Sequence, residues 1–258
     1  MPSSSSLRAF LRKLFWLTVC EMKARYRGTV AGFLWVLAHP LVSFTAICFA
    51  FSHNLGRDTE RYPLFLVAGL LPWAFVNGAL TSNVNALCSA RGLLLSLPVD
   101  PWLVLGAKVL DQFVTFLVVF ALLVAAFHAG LPLEPWRVVG LVLAVGNLLA
   151  FVTVTLRGLA LLQVFFRDTQ FVLQFVNGVL FFLTPILYPV ASMPPALRTW
   201  QWANPYFAVL RPFQLCLAGG TFAEFGQSIA WAVCFTLGAA LVAHLFCRYR
   251  ANAIYRVL

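Results

Sequence analysis

The sequence predicts an all-α membrane protein of six transmembrane helices, N-in and C-in. An N-terminal amphipathic interfacial helix precedes them, and short broken helices fill the extracellular loop before the last span. Three observations carry this prediction. First, six stretches of the 258-residue chain hold no Asp, Glu, Lys or Arg: residues 28–56, 62–90, 112–133, 138–156, 169–197 and 225–247, of 29, 29, 22, 19, 29 and 23 residues. A helix needs about 20 apolar residues to cross about 30 Å of hydrocarbon. Second, 62% of the residues are hydrophobic and 10% charged, in runs too continuous for the alternating strands of a membrane barrel. Helices pair their own backbone groups where no water can. Third, the basic residues are distributed asymmetrically. With both termini in the cytoplasm, Arg57, Arg61, Arg137, Arg198 and Arg211 are the only ones of 18 on the outer side, as the positive-inside rule requires.

The same placement explains the net charge of +10. The cations flank apolar spans, where anionic headgroups attract them, so membrane lipids rather than nucleic acid are the expected partner. The six cysteines show no C-x-x-C spacing and read as small apolar residues. The first 27 residues are basic without a small-residue cleavage site, which argues against a removable signal.

Residues 1–29 form the basic amphipathic segment. Leu7, Phe10, Leu11, Leu14, Leu17 and Thr18 recur at helical spacing beside Arg8, Arg12 and Lys13. Such a helix either lies along the membrane surface or packs on its own protein. The membrane domain follows over 30–247, with spans at about 30–51, 63–87, 102–128, 138–164, 169–188 and 225–246, and 248–258 form a cytoplasmic tail. Pro72 predicts a kink in the second span. Residues 88–101, with Pro98 and Pro101, predict a short helix parallel to the membrane, and Arg167-Asp168 marks a tight cytoplasmic turn. Residues 189–224 are apolar yet broken by Pro194, Pro195, Asn204-Pro205, Arg211-Pro212 and Gly219-Gly220. Two short helices dipping into the outer leaflet fit them, since irregular backbone at that depth must be covered by protein or line a cavity.

No G-x-x-x-x-G-K-[ST] loop occurs, so no phosphate-cradling site is expected in this chain. His39, His53, His128 and His244 are scattered, and no metal-ligand spacing or nucleophile–base arrangement stands out. No catalytic, cofactor or metal site is expected. Three intramembrane charges remain: Lys108 and Asp111 at i, i+3 on the third span, and Arg157 on the fourth. Asp111 and Arg157 each lie ten residues from their cytoplasmic turns, about 15 Å at 1.5 Å per residue. Charges at such depth usually pair. A buried Lys108–Asp111–Arg157 cluster joining the two spans is therefore expected, the alternative being that Lys108 and Arg157 snorkel to the interface.

Arg25-Tyr26-Arg27-Gly28-Thr29-Val30-Ala31-Gly32-Phe33-Leu34-Trp35 and His39-Pro40-Leu41 resemble the ABC-2 type permeases, the membrane subunits of exporters of O-antigen, capsular polysaccharide or teichoic acid. The resemblance continues at Tyr62-Pro63-Leu64-Phe65-Leu66, Gly69-Leu70-Leu71-Pro72-Trp73 and Phe166-Arg167-Asp168. It extends through Thr184-Pro185-Ile186-Leu187-Tyr188-Pro189 and Asn204-Pro205 followed by Arg211. It implies a homodimer in the cytoplasmic (inner) membrane, bound to two copies of a separate cytoplasmic ATPase that holds ATP and magnesium. The coupling helix in the ATPase cleft is expected at Arg91, Gly92, Leu93, Leu94, Leu95 and Pro98, with Arg167 and Asp168 as a second cytoplasmic contact. Pro194, Arg198, Asn204, Pro205 and Arg211 are expected at an extracellular gate. Trp73, Phe181, Phe182 and Tyr188 either line a sugar path or pack in the core and against lipid. The implied function is ATP-driven export of lipid-linked polysaccharide. The alternatives are export of a drug or lipid, or an integral-membrane enzyme on lipid-linked sugars, for which Asp111 alone is a suitably placed carboxylate.

Overall fold

The structure is a computed structural model that describes residues 4–26, 32–55, 62–96, 99–127 and 134–257. Among these residues it is all helical. The helices are α1 (Ser4–Tyr26), α2 (Gly32–Leu55), α3 (Tyr62–Asn83), α4 (Ala86–Ser89), α5 (Arg91–Ser96), α6 (Pro101–Phe127), α7 (Pro135–Phe165), α8 (Thr169–Leu183), α9 (Pro195–Trp200), α10 (Pro205–Leu217) and α11 (Phe222–Val257). Four are long and apolar enough to cross a membrane: Tyr62–Asn83, Pro101–Phe127, Pro135–Phe165 and Phe222–Tyr249. The described apolar stretches Leu41–Ala50 and Thr169–Leu183 are shorter. Arg57, Arg61 and Pro98 lie outside the described residues.

Proline sets several helix starts. Pro135, Pro195 and Pro205 stand in the first turns of α7, α9 and α10, where a missing N–H costs no hydrogen bond and the fixed φ suits the helix. The bundle is organised around α3, which is largely buried, whereas α11 exposes most of its surface. Leu66, Val67, Val76 and Leu80 of α3 are fully enclosed, as are Leu148 and Leu156 of α7 and Phe213 of α10. Helix α10 packs against α3, α7 and α11, and α1 packs along α6.

Four boundaries differ from the sequence reading by four residues or more, the first being the end of α2 at Leu55 instead of about residue 51. The second span ends at Asn83 instead of continuing to residue 87. There the Asn83 side chain donates to the Ala79 carbonyl (2.9 Å), and a turn at Val84-Asn85 intervenes before α4; asparagines compete with the helix in this way. Helix α8 stops at Leu183, five residues before the expected end. Pro185 disfavours the helical conformation in the residue before it, and Thr184 is extended at φ −89°, ψ 134°. Helix α11 continues to Val257, through the basic residues of the 248–258 segment expected as a tail; arginine is a good helix former and does not stop it.

The broken segment after α8 is held by side chains in place of a backbone ladder. Gln201 Nε2 donates to Leu183 O (2.7 Å), Gln214 Nε2 to Pro185 O (2.7 Å), and the Tyr62 hydroxyl to Leu187 O (3.1 Å). Buried carbonyls cannot go unpaired without a cost of about 1–3 kcal/mol each. The segment lies against α3 at Gly69, where a Cβ would sit 2.9 Å from Ile186 O and 3.3 Å from Ile186 Cα. Backbone cannot yield as a flexible side chain can. Gly69→Val is therefore expected to destabilise the protein by about 1–3 kcal/mol, read as a lower thermal midpoint in detergent; an unchanged midpoint would contradict the close approach.

Candidate functional site

Helices α3 and α6, with Phe181 of α8, line an open hollow of about 760 Å³. Trp73, Phe75, Phe116 and Phe181 supply aromatic wall, while Asn77, Gln112 and Thr115 supply amides and a hydroxyl. A second hollow of about 430 Å³ adjoins it, lined by Thr81, Gln174, Asn177 and Phe182. Both are bordered by Trp73, Asn77 and Phe181, so these three side chains stand where the hollows meet. The wall is rigid. Trp73 is buried with its ring 5.6 Å from Phe181 and 5.0 Å from Tyr206. The Tyr206 hydroxyl donates to Asn177 Oδ1 (2.7 Å), and Asn177 Nδ2 donates to Asn77 Oδ1 (2.9 Å). Among the described residues, no carboxylate lines either hollow. Aromatic faces beside neutral amides suit an uncharged, hydroxyl-rich ligand: ring C–H groups pack on the aromatics and hydroxyls bond the amides.

Of the aromatic candidates, Trp73 and Phe181 line both hollows. Phe182 borders the second and is mostly exposed, and Tyr188 lines neither, its hydroxyl donating to Phe182 O (2.7 Å). Sequence reasoning missed the amides. Their signal was polar residues at helical spacing inside uncharged runs: Asn77 with Thr81, Gln112 with Thr115, and Gln174 with Asn177.

The intramembrane charges are arranged differently from the expected cluster. Asp111 pairs with Arg25 of α1, and Lys108 pairs with Glu21 of the same helix at 3.0 Å. Arg157 meets neither; its guanidinium lies 4.0 Å from the centre of the Trp102 ring, with Nε buried and unbonded among the described residues. Arg157 thus links α7 to α6 through a cation–π contact, while the acid of α6 turns to α1. The reason is positional. Docked along α6, α1 brings two charged residues one helical turn apart, Glu21 and Arg25, against Lys108 and Asp111, also about one turn apart. Residue Arg25 also borders the larger hollow.

At the end of the bundle where α3 stops and α8 begins lie α4 and α5. Three amides lock this junction: Gln163 Nε2 donates to Asn85 Oδ1 (3.3 Å) and Arg167 O (3.1 Å), Asn85 Nδ2 donates to Gln170 Oε1 (3.3 Å), and Gln170 N donates to Gln163 Oε1 (2.9 Å). The turn at Arg167-Asp168 is thereby tied to the segment leading into α5. Burial pushes the Cys88 thiol above its usual range, against the opposing pull of the nearby Arg167 guanidinium. On α5, Arg91, Gly92 and Leu93 are exposed and Leu94 packs inward. Leu95 is within the helix.

At the opposite end, Asn204 is fully buried and organises the broken helices. Its Oδ1 accepts from the backbone of Tyr206 (3.0 Å) and Phe207 (3.3 Å), capping α10, while its Nδ2 donates to Thr184 Oγ1 (2.9 Å) and Gln201 Oε1 (3.2 Å). Pro205 opens α10 and exposed Pro194 precedes α9. Arg198 holds the carbonyls of Ala191 and Met193 at 2.8 and 3.0 Å.

A bundle of apolar helices around an aromatic and amide-lined hollow defines a membrane protein of permease type. The chain belongs to the ABC-2 type transporter family, whose model matches residues 12–217. It is similar to the O-antigen export system permease protein RfbA of Myxococcus xanthus, 27% identical over 196 residues covering 75% of each chain. The RfbA protein of Klebsiella pneumoniae is 27% identical over 187 residues, 71% of each chain. The polysialic acid transport protein KpsM of Escherichia coli is 25% identical over 239 residues, 91% of this chain and 92% of its own length.

Proposed function

We propose that this chain is the membrane-spanning permease subunit of an ATP-driven exporter that moves lipid-linked polysaccharide, O-antigen or capsular, across the cytoplasmic membrane. The carrying observation is the hollow between α3, α6 and α8, whose Trp73 and Phe181 walls and rows of amides suit a sugar chain. The export permeases among its relatives support the same reading. The six spans of the proposal are α2, α3, α6, α7, α8 and α11, with both termini cytoplasmic. The asymmetric arginines and lysines support that orientation.

In this arrangement two copies of the chain join two copies of a cytoplasmic ATPase, which carries ATP and magnesium. Helix α5, with Arg91, Gly92, Leu93 and Leu94, acts as the coupling helix. Leu95 and Pro98 belong to the same segment, and Arg167 and Asp168 add a second contact. The amide lock between Asn85, Gln163 and Gln170 makes the two contacts move as one. The elements around Pro194, Arg198, Asn204, Pro205 and Arg211 form the outer gate.

Deleting the gene in its own host tests the function. Surface glycan is expected to disappear while lipid-linked polymer accumulates inside; unchanged surface glycan would refute export of polysaccharide. Within the hollow, Phe181→Ala should lower export by about two- to thirteenfold, the worth of one aromatic contact of about 0.5–1.5 kcal/mol. Phe181→Trp should restore it. Pulse-labelled surface glycan at matched permease levels measures both.

A further inference from the structure

A separate hollow of about 340 Å³ opens between α9, α10 and the start of α11, at the lower end of the about 300–1,000 Å³ range of small-molecule sites. Two guanidinium groups border it, Arg198 from α9 and Arg211 from α10, with a single carboxylate, Glu224. That carboxylate accepts from Thr221 N (2.8 Å) and Thr221 Oγ1 (3.0 Å), while its charge also acts on Arg211 through space. Among the described residues it makes no ion pair with either arginine. The hollow therefore carries an excess of one positive charge.

The arginines differ in how much donor capacity they retain. Arg198 uses one terminal nitrogen on the carbonyls of Ala191 and Met193, which fixes its position. Arg211 is half-buried, and its hydrogen bonding among the described residues is confined to Gln214 Oε1 at 3.5 Å. A guanidinium withdrawn from water with most of its fork unspent favours a planar anion that takes two hydrogen bonds. The remaining wall is aromatic. Trp202 and Trp231 lie edge to face at 6.2 Å, locked by Trp231 Nε1 donating to Trp202 O (2.9 Å). Gln227 and Ser228 of α11 complete the lining with an amide and a hydroxyl.

We propose that this hollow binds a carboxylate-bearing sugar residue, with the carboxylate on the Arg211 fork near Arg198 and the ring against Trp202 and Trp231. A bare phosphate needs only the arginines; the tryptophan wall and the two polar side chains match a pyranose ring and its hydroxyls. The site is distinct from the larger hollow, where Arg25 is the one charged residue on the border among the described residues. The proposal rests on the export reading for the source of the ligand, and it adds that the cargo contains an acidic sugar.

The test titrates the purified full-length protein, in nanodiscs of zwitterionic lipid, with glucuronic acid and with glucose, following tryptophan fluorescence and calorimetry. Glucuronic acid is expected to bind at least tenfold more tightly than glucose, and Arg211→Gln to remove that preference. Arg211→Lys, which keeps the charge but loses the fork, should fall between them. The comparison of the two sugars on the unaltered protein does not depend on any variant folding. Equal binding of the two sugars overturns the proposal. So does undiminished glucuronic acid binding in a folded Arg211→Gln protein. Blockade of the sugar by phosphatidylglycerol nanodiscs, with that lipid retained through Arg211 in native mass spectrometry, overturns it in favour of a headgroup site. Loss of surface glycan on gene deletion is read separately, so export can stand while this site fails.

Discussion

Leu93→Asp in α5 is expected to abolish co-purification of the cytoplasmic ATPase subunit while leaving the permease inserted and folded. The expectation follows from the division of labour along a six-residue helix. Successive residues on a helix point about 100° apart, and here Leu94 turns inward against the core while Leu93 is 41% exposed. Gly92 beside it has nothing within 4 Å of where a Cβ would stand. A leucine flanked by exposed Arg91 and Ser96 offers an apolar knob with a polar rim, the composition of an interface centre. Placing a carboxylate at such a centre costs about 2–4 kcal/mol, roughly 30- to 1,000-fold in affinity. The same change on an exposed side chain alters the fold by no more than about 0.5 kcal/mol. Affinity capture of the tagged ATPase, with size-exclusion of the permease alone as the control for folding, measures both. If α5 instead rests only on lipid headgroups, Leu93→Asp will leave the ATPase bound, and the coupling assignment fails.

The helices were legible where hydrophobicity was continuous. The ends of α6 and α7 fall within three residues of the sequence expectation, because uncharged runs and Pro135 mark them. The early end of α8 was less legible. Thr184 and Pro185 sit inside an apolar run of 29 residues, and hydropathy is blind to a missing N–H. Only the positions of Gln201, Gln214 and Tyr62 in space show how the released carbonyls are satisfied. The site divided along the same line. Aromatic residues announced themselves by composition, and two of four border the hollow. The amides Asn77, where the two hollows meet, and Asn177, on the second, are 100 residues apart and meet only through the packing of α3 on α8. The charges show the limit most sharply. The sequence reading joined Lys108, Asp111 and Arg157 in one cluster, and spacing on two helices could not reveal that α1 would meet Asp111 and Lys108 with Arg25 and Glu21.

That ion pairing yields an asymmetric prediction: Arg25→Ala should destabilise the protein far more than Asp111→Asn. The two members of the pair are unequally placed, with the Arg25 side chain 35% exposed and the Asp111 side chain 4%. Neutralise Asp111 and the arginine can reach water, so the cost is at most the about 1.5–3 kcal/mol of a lost charged hydrogen bond. Remove Arg25 and a carboxylate is left enclosed, its Oδ1 already without a hydrogen bond among the described residues. Stranding a buried charge costs about 3–5 kcal/mol. The Lys108–Glu21 pair, with side chains 27% and 30% exposed, is screened and offsets little of it. At about 2–4 °C per kcal/mol for a chain of this size, Arg25→Ala should lower the unfolding midpoint by roughly 6–20 °C at fixed scan rate. The double variant Arg25→Ala/Asp111→Asn should recover nearly to the level of Asp111→Asn alone, because the stranded charge has gone. Amide exchange over residues 4–26 should rise in Arg25→Ala, reporting release of α1 from α6 beside the hollow that Arg25 borders. Equal midpoints for the two single variants would mean that the pair is solvated on both sides, and that α1 is held by apolar packing such as Leu14 against Gly106 of α6 rather than by its charges.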